Sequence, residues 1–372
     1  MKDFPETTFA FMSSRTGRVM GRVERRILRV MAALLERGAS VHLICAPKSP
    51  MESVAQALGA ECAPYHLDRF NYVRTSSRVR KYLRRHNPVV VHSVGVEADI
   101  IARWAARDMR VAAINTIPCT DWPRMGAGPI SRAVGRWADV RTMHLSAAAI
   151  VDCRDLAKRL VDEGMPPDHL MVDPPSIDIG EVMEQSRQAG IEIQRPIGPL
   201  VGYGGRIEES RGLEHLVAAS AILDARGVMA EVIIAGEGPL LKRIQDDVRS
   251  SRVRYIGWVD SVPAVLKQLA VAVFPSTAPG VPTSLLEAAA LGRPIVASRV
   301  EGVEELYEDY EEIRLVTAGD PKALAAAIAD LMTDTDAAEA MGEKARHRTL
   351  DEYSSTASIE RHLALYRRFM RR

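Results

Sequence analysis

Short apolar runs rich in β-branched residues alternate with longer amphipathic segments along this chain. That alternation restricts the range of possible folds more than any other feature. In the first half it predicts strands at residues 8–12, 41–44, 89–92, 111–114 and 148–151. Between the first two strands, apolar residues recur at the spacing of one helix face over residues 24–36. Such alternation is typical of a parallel sheet that is covered by helices on both faces.

A pause in the alternation divides the chain. Residues 186–198 contain two glycines and a proline, and we expect the linker between two domains there. The alternation resumes with strands predicted at residues 200–203, 231–235, 253–256, 271–274 and 294–298. We therefore predict an α/β protein with two doubly wound, Rossmann-like domains that face each other across a cleft. They would span residues 1–190 and 191–354, followed by a basic amphipathic helix in residues 355–372.

The composition is that of an ordinary soluble protein, with 47% hydrophobic and 26% charged residues. Four cysteines, Cys45, Cys62, Cys119 and Cys153, are far apart in the sequence and form no CxxC pair, so we expect free thiols in a reducing compartment. The first residues lack the apolar stretch of a signal peptide, and no apolar run approaches the roughly 20 residues of a membrane-spanning helix. These features predict a cytoplasmic protein.

The segment that most suggests a ligand site covers residues 273–298. A buried strand leads into a loop with glycine and proline, and Thr283 and Ser284, both good N-cap residues, begin the next helix. The unpaired N–H groups and the dipole at a helix start suit a diphosphate. Glu287 follows one turn later, where its carboxylate can accept hydrogen bonds from vicinal hydroxyls. Taken alone, the segment is better explained as a plain strand–loop–helix unit with a solvated glutamate.

Three further strand ends in the second half carry glycines or side chains suited to a nucleotide. Arg206 and Arg211 share one strand-to-helix loop, where their guanidinium groups suit bidentate contact with phosphate, and Gly205 lets the backbone approach a ligand closely. The other two strand ends are a glycine turn and an aromatic pair beside an expected base pocket, namely Gly236, Glu237 and Gly238, then Tyr255 and Trp258. Each segment alone is compatible with an ordinary solvated loop.

The order of these four segments resembles that of the family 4 retaining glycosyltransferases of the GT-B fold. The motifs that carry the resemblance are Gly205-Arg206 with Arg211-Gly212, Gly236-Glu237-Gly238-Pro239, Ile256-Gly257, Leu286-Glu287-Ala288 and residues 292–298. The resemblance is strong from Gly204 to about Leu306 and looser elsewhere. It implies a GT-B fold whose final helix crosses back to the first domain.

The resemblance also implies an activity and roles for site residues. The chain would move a sugar from a UDP- or GDP-linked donor to a glycan, lipid-linked or small-molecule acceptor, without a metal or another cofactor. Arg206 and Arg211 would neutralise the diphosphate, and Glu287 would hold the ribose hydroxyls. Backbone groups of residues 283–285, ending at Leu285, would contact the pyrophosphate. Catalysis would depend on positioning and charge stabilisation.

The first half of the chain, and the part of the expected site that would contact the donor sugar (the sugar side), depart from the family pattern. Gly21-Arg22 resembles the glycine-rich loop near the acceptor, although Met20 stands where one more glycine is usual. Pro279 occupies the position of the first of two glutamates, and Asn115 occupies that of a common histidine. Two explanations stay open. In the first, an unusual donor sugar or acceptor needs fewer contacts, and Asn115 or backbone groups supply them. In the second, the protein binds nucleotide sugar with weakened transfer, or acts as a scaffold in glycan assembly.

Charge is unevenly distributed along the chain. Residues 1–141 contain 23 Lys and Arg against 12 Asp and Glu, whereas the remainder contains 26 against 36. The basic residues of the first half form two clusters, Arg22, Arg25, Arg26 and Arg29, then Arg78, Arg80, Lys81, Arg84 and Arg85. Besides a solvated surface, these clusters are compatible with peripheral binding to anionic phospholipids at the inner face of a membrane.

Other functional classes fit the sequence less well. An oxidoreductase would need Gly-x-Gly-x-x-Gly after the first strand, but residues 13–21 contain only Gly17 and Gly21. A nucleotide-sugar epimerase would need acids and a histidine in the cleft that we could not identify. Nucleic-acid binding is disfavoured, because no binding module is recognised and the second half is acidic.

Overall fold

The computed structural model describes residues 3–14, 20–65, 72–107, 109–119, 137–188, 193, 198–243 and 253–370. Contacts between Cα atoms divide the chain into two compact units. The first consists of Met1–Pro174 together with Ser358–Arg372, and the second consists of Pro175–Ala357. No helix in these described ranges is both long enough and apolar enough to cross a membrane.

The first unit is built on a parallel sheet in the order β3-β2-β1-β4-β5-β6-β7. Its strands are β1 (Thr8–Ser13), β2 (Ser40–Cys45), β3 (Glu61–Pro64), β4 (Val90–Val94), β5 (Ala112–Ile117), β6 (Ala148–Val151) and β7 (Leu170–Val172). Its helices include α1 (Arg22–Glu36), α2 (Pro50–Ala57), α3 (Tyr72–His86), α4 (Val96–Ala106) and α5 (Arg154–Asp162), and residues 137–143 are also helical. Helix α1 ends where the sequence predicted, because Gly38 adopts a φ of 87° that a glycine tolerates best.

The second unit is built on a parallel sheet in the order β10-β9-β8-β11-β12-β13. Its strands are β8 (Leu200–Gly204), β9 (Glu231–Ala235), β10 (Arg254–Gly257), β11 (Val271–Phe274), β12 (Ile295–Arg299) and β13 (Arg314–Thr317). Its helices include α6 (Ile179–Gln185), α7 (Leu213–Ala225), α8 (Val262–Leu266), α9 (Thr283–Ala290), α10 (Pro321–Thr333) and α11 (Thr335–Glu352). The strand order reverses between β8 and β11, and an open α/β sheet binds ligands at such a point.

Both units confirm the predicted architecture of parallel sheets with helices. Short strands β3, β7 and β13 are additions that the apolar pattern did not reveal. The sequence pattern also predicts a helix over residues 242–248, and most of that segment lies outside the described residues.

The division between the units differs from the expected boundary at residue 190. It falls between Pro174 and Pro175, because the segment after it packs into the second core. Ile177 and Val182 are buried in that core, and the amide of Ile177 donates to the carbonyl of Tyr353 over 3.0 Å. The stretch that we expected to be the linker, residues 186–198, lies largely outside the described residues.

The final helix, α12 (Ser355–Met370), contributes its residues from Ser358 onward to the first unit. Tyr366 is fully buried there and packs on Phe9 with ring centroids 5.5 Å apart. Asp173 is also fully buried and receives hydrogen bonds from Ser358 over 2.7 Å and from Arg361 over 2.6 Å. A single buried carboxylate thus ties the chain just before the division to the helix that returns.

Candidate functional site

The loops that follow β8 and β9 lie against each other at the carboxyl edge of the second sheet. The amide of Gly205 donates to the carbonyl of Ala235 over 3.0 Å, and the amide of Ile207 donates to the carbonyl of Glu237 over 2.8 Å. A side chain at Gly236 would overlap the carbonyl oxygen of Gly205, and one at Gly238 would overlap that of Ile207. The predicted glycines are therefore required by the close approach of two backbones.

Arg206 and Arg211 come together in the loop after β8, as the sequence suggested. Both contact one carboxylate, that of Glu208, at 3.2 Å from Arg206 Nε and 2.8 Å from Arg211. Arg206 is 70% exposed, whereas Arg211 is 22% exposed. The sequence analysis missed Glu208, although its position between the two arginines was a signal that it could bridge them. The loop therefore carries two guanidinium groups at this edge, and both are paired with Glu208, which an incoming anion would have to displace.

Strand β10 stabilises the glycine turn, and the residue that follows the strand has an exposed aromatic ring. The amide of Gly236 donates to the carbonyl of Gly257, and the Tyr255 hydroxyl donates to the carbonyl of Gly236, both over 2.8 Å. Burial and the nearby carboxylate of Glu237 raise the pKa of Tyr255, so the phenol stays protonated as this bond requires. Trp258 is 60% exposed. Tyr255 thus fixes the loop, and Trp258 is the aromatic residue here that a planar ligand can reach.

Helix α9 begins at the same edge, but its cap differs from the prediction. The N-cap residue is Pro282 and no side chain caps the helix, whereas Thr283 or Ser284 was expected to do so. The Leu285 side chain is fully buried and its amide donates to the carbonyl of Pro282 over 3.1 Å, so Leu285 offers less to a ligand than expected. The first N–H groups of a helix lack intrahelical partners, which leaves Thr283 and Ser284 as the donors for an anion.

The start of α9 also lies beside the arginine loop. A Cβ atom at Gly205 would be only 3.1 Å from the Ser284 hydroxyl oxygen. The amide of Thr277, in the loop before α9, donates to the carbonyl of Ser210 over 3.0 Å. Glu287 follows one turn into α9 and is partly buried. The structure therefore brings the arginine loop and the uncapped helix start together at the strand-order reversal, with Glu287 one turn further along the helix.

The loop after β12 lies beside the loop that contains Pro279, where the sequence departs from the family pattern. Pro279 is exposed and offers no hydrogen-bond donor or carboxylate. The next residue, Gly280, donates its amide to the carbonyl of Glu301 over 2.9 Å, and a Cβ atom at Gly302 would lie 3.5 Å from the Val281 side chain. Glu301 is partly buried beside this loop. The backbone of Glu301, at another strand end, is thus joined to the loop that contains Pro279.

Asn115 does not support the sugar-binding role that we considered for it. It lies on β5 with none of its surface exposed, and its Oδ1 accepts hydrogen bonds from Arg103 over 2.9 Å and from Ser146. Its amide donates to the Ser93 hydroxyl over 2.7 Å. Arg103 is equally buried and forms a 2.7 Å ion pair with Asp139. Asn115 therefore belongs to a buried polar network, which the strand pattern alone could not reveal.

Gly21 and Arg22 lie at the start of α1, where Gly21 is the N-cap residue. Arg22 contacts the Asp152 carboxylate at 3.4 Å, just beyond the end of β6. The other carboxylate oxygen of Asp152 accepts the amide of Cys119 over 2.6 Å. The Gly21–Arg22 loop thus lies at the carboxyl edge of the first sheet, as expected of a loop that faces a ligand.

The cysteines are free thiols, but the fold brings together two that are distant in sequence. Possible ligand atoms of Cys119, Cys153 and Asp152 lie within 4.8 Å of one another. A hydrogen bond with Cys153 is the largest cause of a raised pKa at Cys119, and burial adds to it. The Cys119 thiol is therefore protonated at neutral pH.

The first basic cluster is not the exposed face that its spacing suggested. Arg26 points inward, where it bonds to both the carbonyl and the carboxylate of Asp173 at 3.1 Å, and only 8% of its side chain is exposed. The helical spacing showed which residues share a face but not that a buried carboxylate lies opposite. The cluster on α3 differs, because Arg78, Lys81 and Arg85 are exposed.

His92 ends a strand and is a core residue. It is fully buried. Its Nδ1 lies 2.5 Å from the Tyr366 hydroxyl, and its Nε2 lies 2.7 Å from the Thr116 hydroxyl. Burial, assisted by His362 and Arg26, lowers the pKa of His92 well below its ordinary value, so this imidazole is neutral.

Both halves of the chain match known protein families. Residues 21–175 match a family described as Glycosyl transferase 4-like domain, and residues 198–334 match one described as Glycosyl transferases group 1. Together these matches include the Gly21–Arg22 loop and every strand-end loop described above for the second unit.

Individual relatives agree with this placement. The chain is 26% identical over 352 residues to the lipopolysaccharide core biosynthesis glycosyltransferase LpsE of Rhizobium meliloti, covering 93% of this chain and 95% of that one. It is 27% identical over 251 residues to an alpha-D-kanosaminyltransferase of Streptomyces kanamyceticus, covering 64% of each. In that relative and two further ones, the matched region spans only 51% to 64% of their length.

Solved structures show the same fold. HepE of Anabaena, crystallised in complex with UDP, superposes with a TM-score of 0.80 at 14% identity, covering 96% of this chain and 99% of that one. A glycosyltransferase from Rickettsia africae superposes with a TM-score of 0.78 at 13% identity, covering 98% and 99%. The chain therefore belongs to the group 1, or family 4, glycosyltransferases of the GT-B fold.

Proposed function

We propose that this chain is a retaining hexosyltransferase whose second unit binds a nucleoside diphosphate sugar, linked to UDP or GDP. The observation that carries the proposal is the meeting of two guanidinium groups with an uncapped helix start at the strand-order reversal. Arg206 and Arg211 supply positive charge, and the first amides of α9 supply directed donors. HepE, which shares the fold, was crystallised with UDP, and this supports a nucleotide at the corresponding edge.

The proposed chemistry follows from the charges at this edge. Breaking the bond between the sugar and the diphosphate leaves negative charge on the leaving group, which the arginines and the helix dipole stabilise. Glu287, one turn into α9, would accept hydrogen bonds from the ribose hydroxyls. The acceptor hydroxyl would then attack from the face that the diphosphate leaves, so the sugar would keep its anomeric configuration.

We assign the sugar side of the donor site to Glu301. Its backbone carbonyl accepts a hydrogen bond from the amide of Gly280, which places this residue beside the loop where Pro279 offers no carboxylate. Glu301→Gln should raise KM for the donor sugar while the affinity for free UDP stays unchanged. Glu304→Gln, an exposed neighbour, is the matched control. Equal effects of both substitutions on KM would contradict this assignment.

The transfer reaction itself is tested with the purified chain, a panel of UDP- and GDP-linked hexoses and simple glycoside acceptors. We expect nucleotide release with one donor and, by NMR, a product whose anomeric configuration equals that of the donor. An inverted product would contradict the retaining mechanism. Nucleotide binding without release from any donor would favour the scaffold alternative.

The acceptor is proposed to be a sugar, with lipid-linked glycans as the leading class. LpsE, which matches the chain over nearly its whole length, is named for lipopolysaccharide core biosynthesis. The exposed residues Arg78, Lys81 and Arg85 would bring α3 to an anionic membrane surface, each contributing about 1 kcal/mol. Replacing these three with glutamine should abolish sedimentation with vesicles containing anionic phospholipid. If the wild-type chain does not sediment with such vesicles, the membrane part of the proposal is wrong.

A further inference from the structure

A cluster of metal-binding side chains lies at the β3 edge of the first sheet, apart from any residue assigned to sugar transfer. His42 on β2 and Glu61 on β3 are register partners, and His86 is the last residue of α3. Three separate elements therefore converge on one point. His42 is only 3% exposed, whereas 63% of the Glu61 side chain is exposed, so the cluster is anchored inside and open on one side.

The donor atoms are close enough to share one ion. One possible ligand atom from each of the three residues lies within 4.8 Å of the other two. His42 Nδ1 is 3.7 Å from Glu61 Oε2, and the rings of His42 and His86 are 4.5 Å apart between centroids. Zinc ligands lie at about 2.0–2.2 Å from the metal in a tetrahedral site, which places neighbouring ligand atoms about 3.4 Å apart. Side-chain shifts of about 1 Å would complete such a site.

The hydrogen bonds of His42 favour the tautomer that a ligand needs. Nε2 lies 3.4 Å from the Ser40 hydroxyl, to which it can donate, and Nδ1 then carries the lone pair. An outer hydrogen bond of this kind is how metal-ligating histidines are usually oriented. Nδ1 is also 2.9 Å from the Tyr82 hydroxyl, which donates to it and would turn aside or stay as a neighbour of the ion.

The exposed carboxylate of Glu61 supplies negative charge to the cluster, which would partly offset the charge of a bound divalent ion.

We propose that His42, Glu61 and His86 form a binding site for a divalent transition metal ion of the zinc class. Two imidazoles and a carboxylate are ligands that zinc accepts readily. With three protein ligands, water would fill the fourth position. The ion would join β2, β3 and the last turn of α3, and so fix the helix that carries Arg78, Lys81 and Arg85. The site is structural, and the sugar-transfer reaction does not depend on it.

The test uses the tag-free chain of 372 residues, freed of metal by chelation and titrated with Co²⁺, followed by competition with Zn²⁺. We expect a single ion per chain with the visible absorption of tetrahedral cobalt, and a rise in the unfolding temperature on addition of Zn²⁺. His86→Ala and the conservative Glu61→Gln should each weaken Co²⁺ binding by more than about tenfold. His144→Ala, an exposed histidine of the same unit, should leave it unchanged.

Folding and binding are kept separate in this design. Glu61 is largely exposed, so Glu61→Gln should retain the wild-type circular dichroism spectrum, and a loss of binding in that variant reports on the ligand itself. The proposal is overturned if the wild type gives no tetrahedral cobalt spectrum, or if His144→Ala weakens binding as much as His86→Ala does.

Discussion

Gly205 offers the sharpest test of how the arginine loop meets helix α9. Its φ is 147°, a backbone conformation that costs a side chain about 1–3 kcal/mol. In Gly205→Ala the new methyl carbon would lie 2.8 Å from the Tyr203 hydroxyl and 3.1 Å from the Ser284 hydroxyl. Tyr203 is buried, and its hydroxyl donates to the carbonyl of Arg206 over 2.9 Å, so moving it costs a further hydrogen bond of about 1 kcal/mol.

These terms predict a loss of about 2–4 kcal/mol in the free energy of unfolding for Gly205→Ala, measured by urea denaturation. Gly227→Ala is the matched control, because Gly227 also has a positive φ, 72°, but a methyl group there meets nothing within 4 Å. For that variant we expect the free energy of unfolding to fall by about 1–2 kcal/mol, from backbone strain alone.

Ligand binding separates the two variants further. Displacing Ser284 from the start of α9 should weaken UDP binding by at least about tenfold in Gly205→Ala, which corresponds to 1.4 kcal/mol. The affinity of Gly227→Ala for UDP should equal that of the wild type. If the two variants lose equal stability and both retain the UDP affinity, the proposed contact between the arginine loop and α9 is wrong.

Three further outcomes are expected. Glu208→Gln removes the carboxylate that competes with phosphate for both arginines. UDP should therefore bind about two- to fivefold more tightly in calorimetry, a change in binding free energy equal to that of a weak ion pair. Weaker binding would contradict this expectation. Asn115→Leu should lower the free energy of unfolding by about 2–5 kcal/mol in urea denaturation, because Arg103 loses a buried partner. The affinity for UDP should stay unchanged. A loss of turnover without a loss of stability would restore a role for Asn115 in catalysis. The pKa values of His92 and His362 are lowered by burial, so the unfolded chain takes up protons that the folded chain does not, and stability should fall as pH drops below the ordinary value of 6.5. An unfolding temperature that stays constant between about pH 7 and pH 5 would contradict that assignment.

The parts that the sequence predicted well depend on neighbours along the chain. Apolar β-branched runs located most of the strands, and the glycines at Gly205, Gly236 and Gly238 located the loops where backbones approach closely. In both cases the physical requirement, burial on two faces or the absence of a Cβ atom, acts on a single short segment. Such requirements leave a mark that can be read without knowing the rest of the fold.

The parts that the sequence could not predict depend on partners far away in the chain. Arg26 is buried because Asp173, 147 residues later, lies opposite it. Asn115 is satisfied by Arg103 and Ser146, which come from a helix and a loop on either side in sequence. The division between the units at Pro174 has the same kind of cause, since the segment from Ile177 is held by Tyr353 near the other end of the unit.

The most direct measurement is a calorimetric titration of the wild-type chain and the Arg206→Ala/Arg211→Ala double variant with UDP and GDP. Each arginine should contribute the 1.5–3 kcal/mol of a charge-assisted hydrogen bond, so we expect the double variant to bind the preferred nucleotide at least about a hundredfold more weakly. Arg226→Ala, an exposed arginine of the same unit, should match the wild type. Equal affinity in the wild type and the double variant would contradict the assignment of this edge as a diphosphate site.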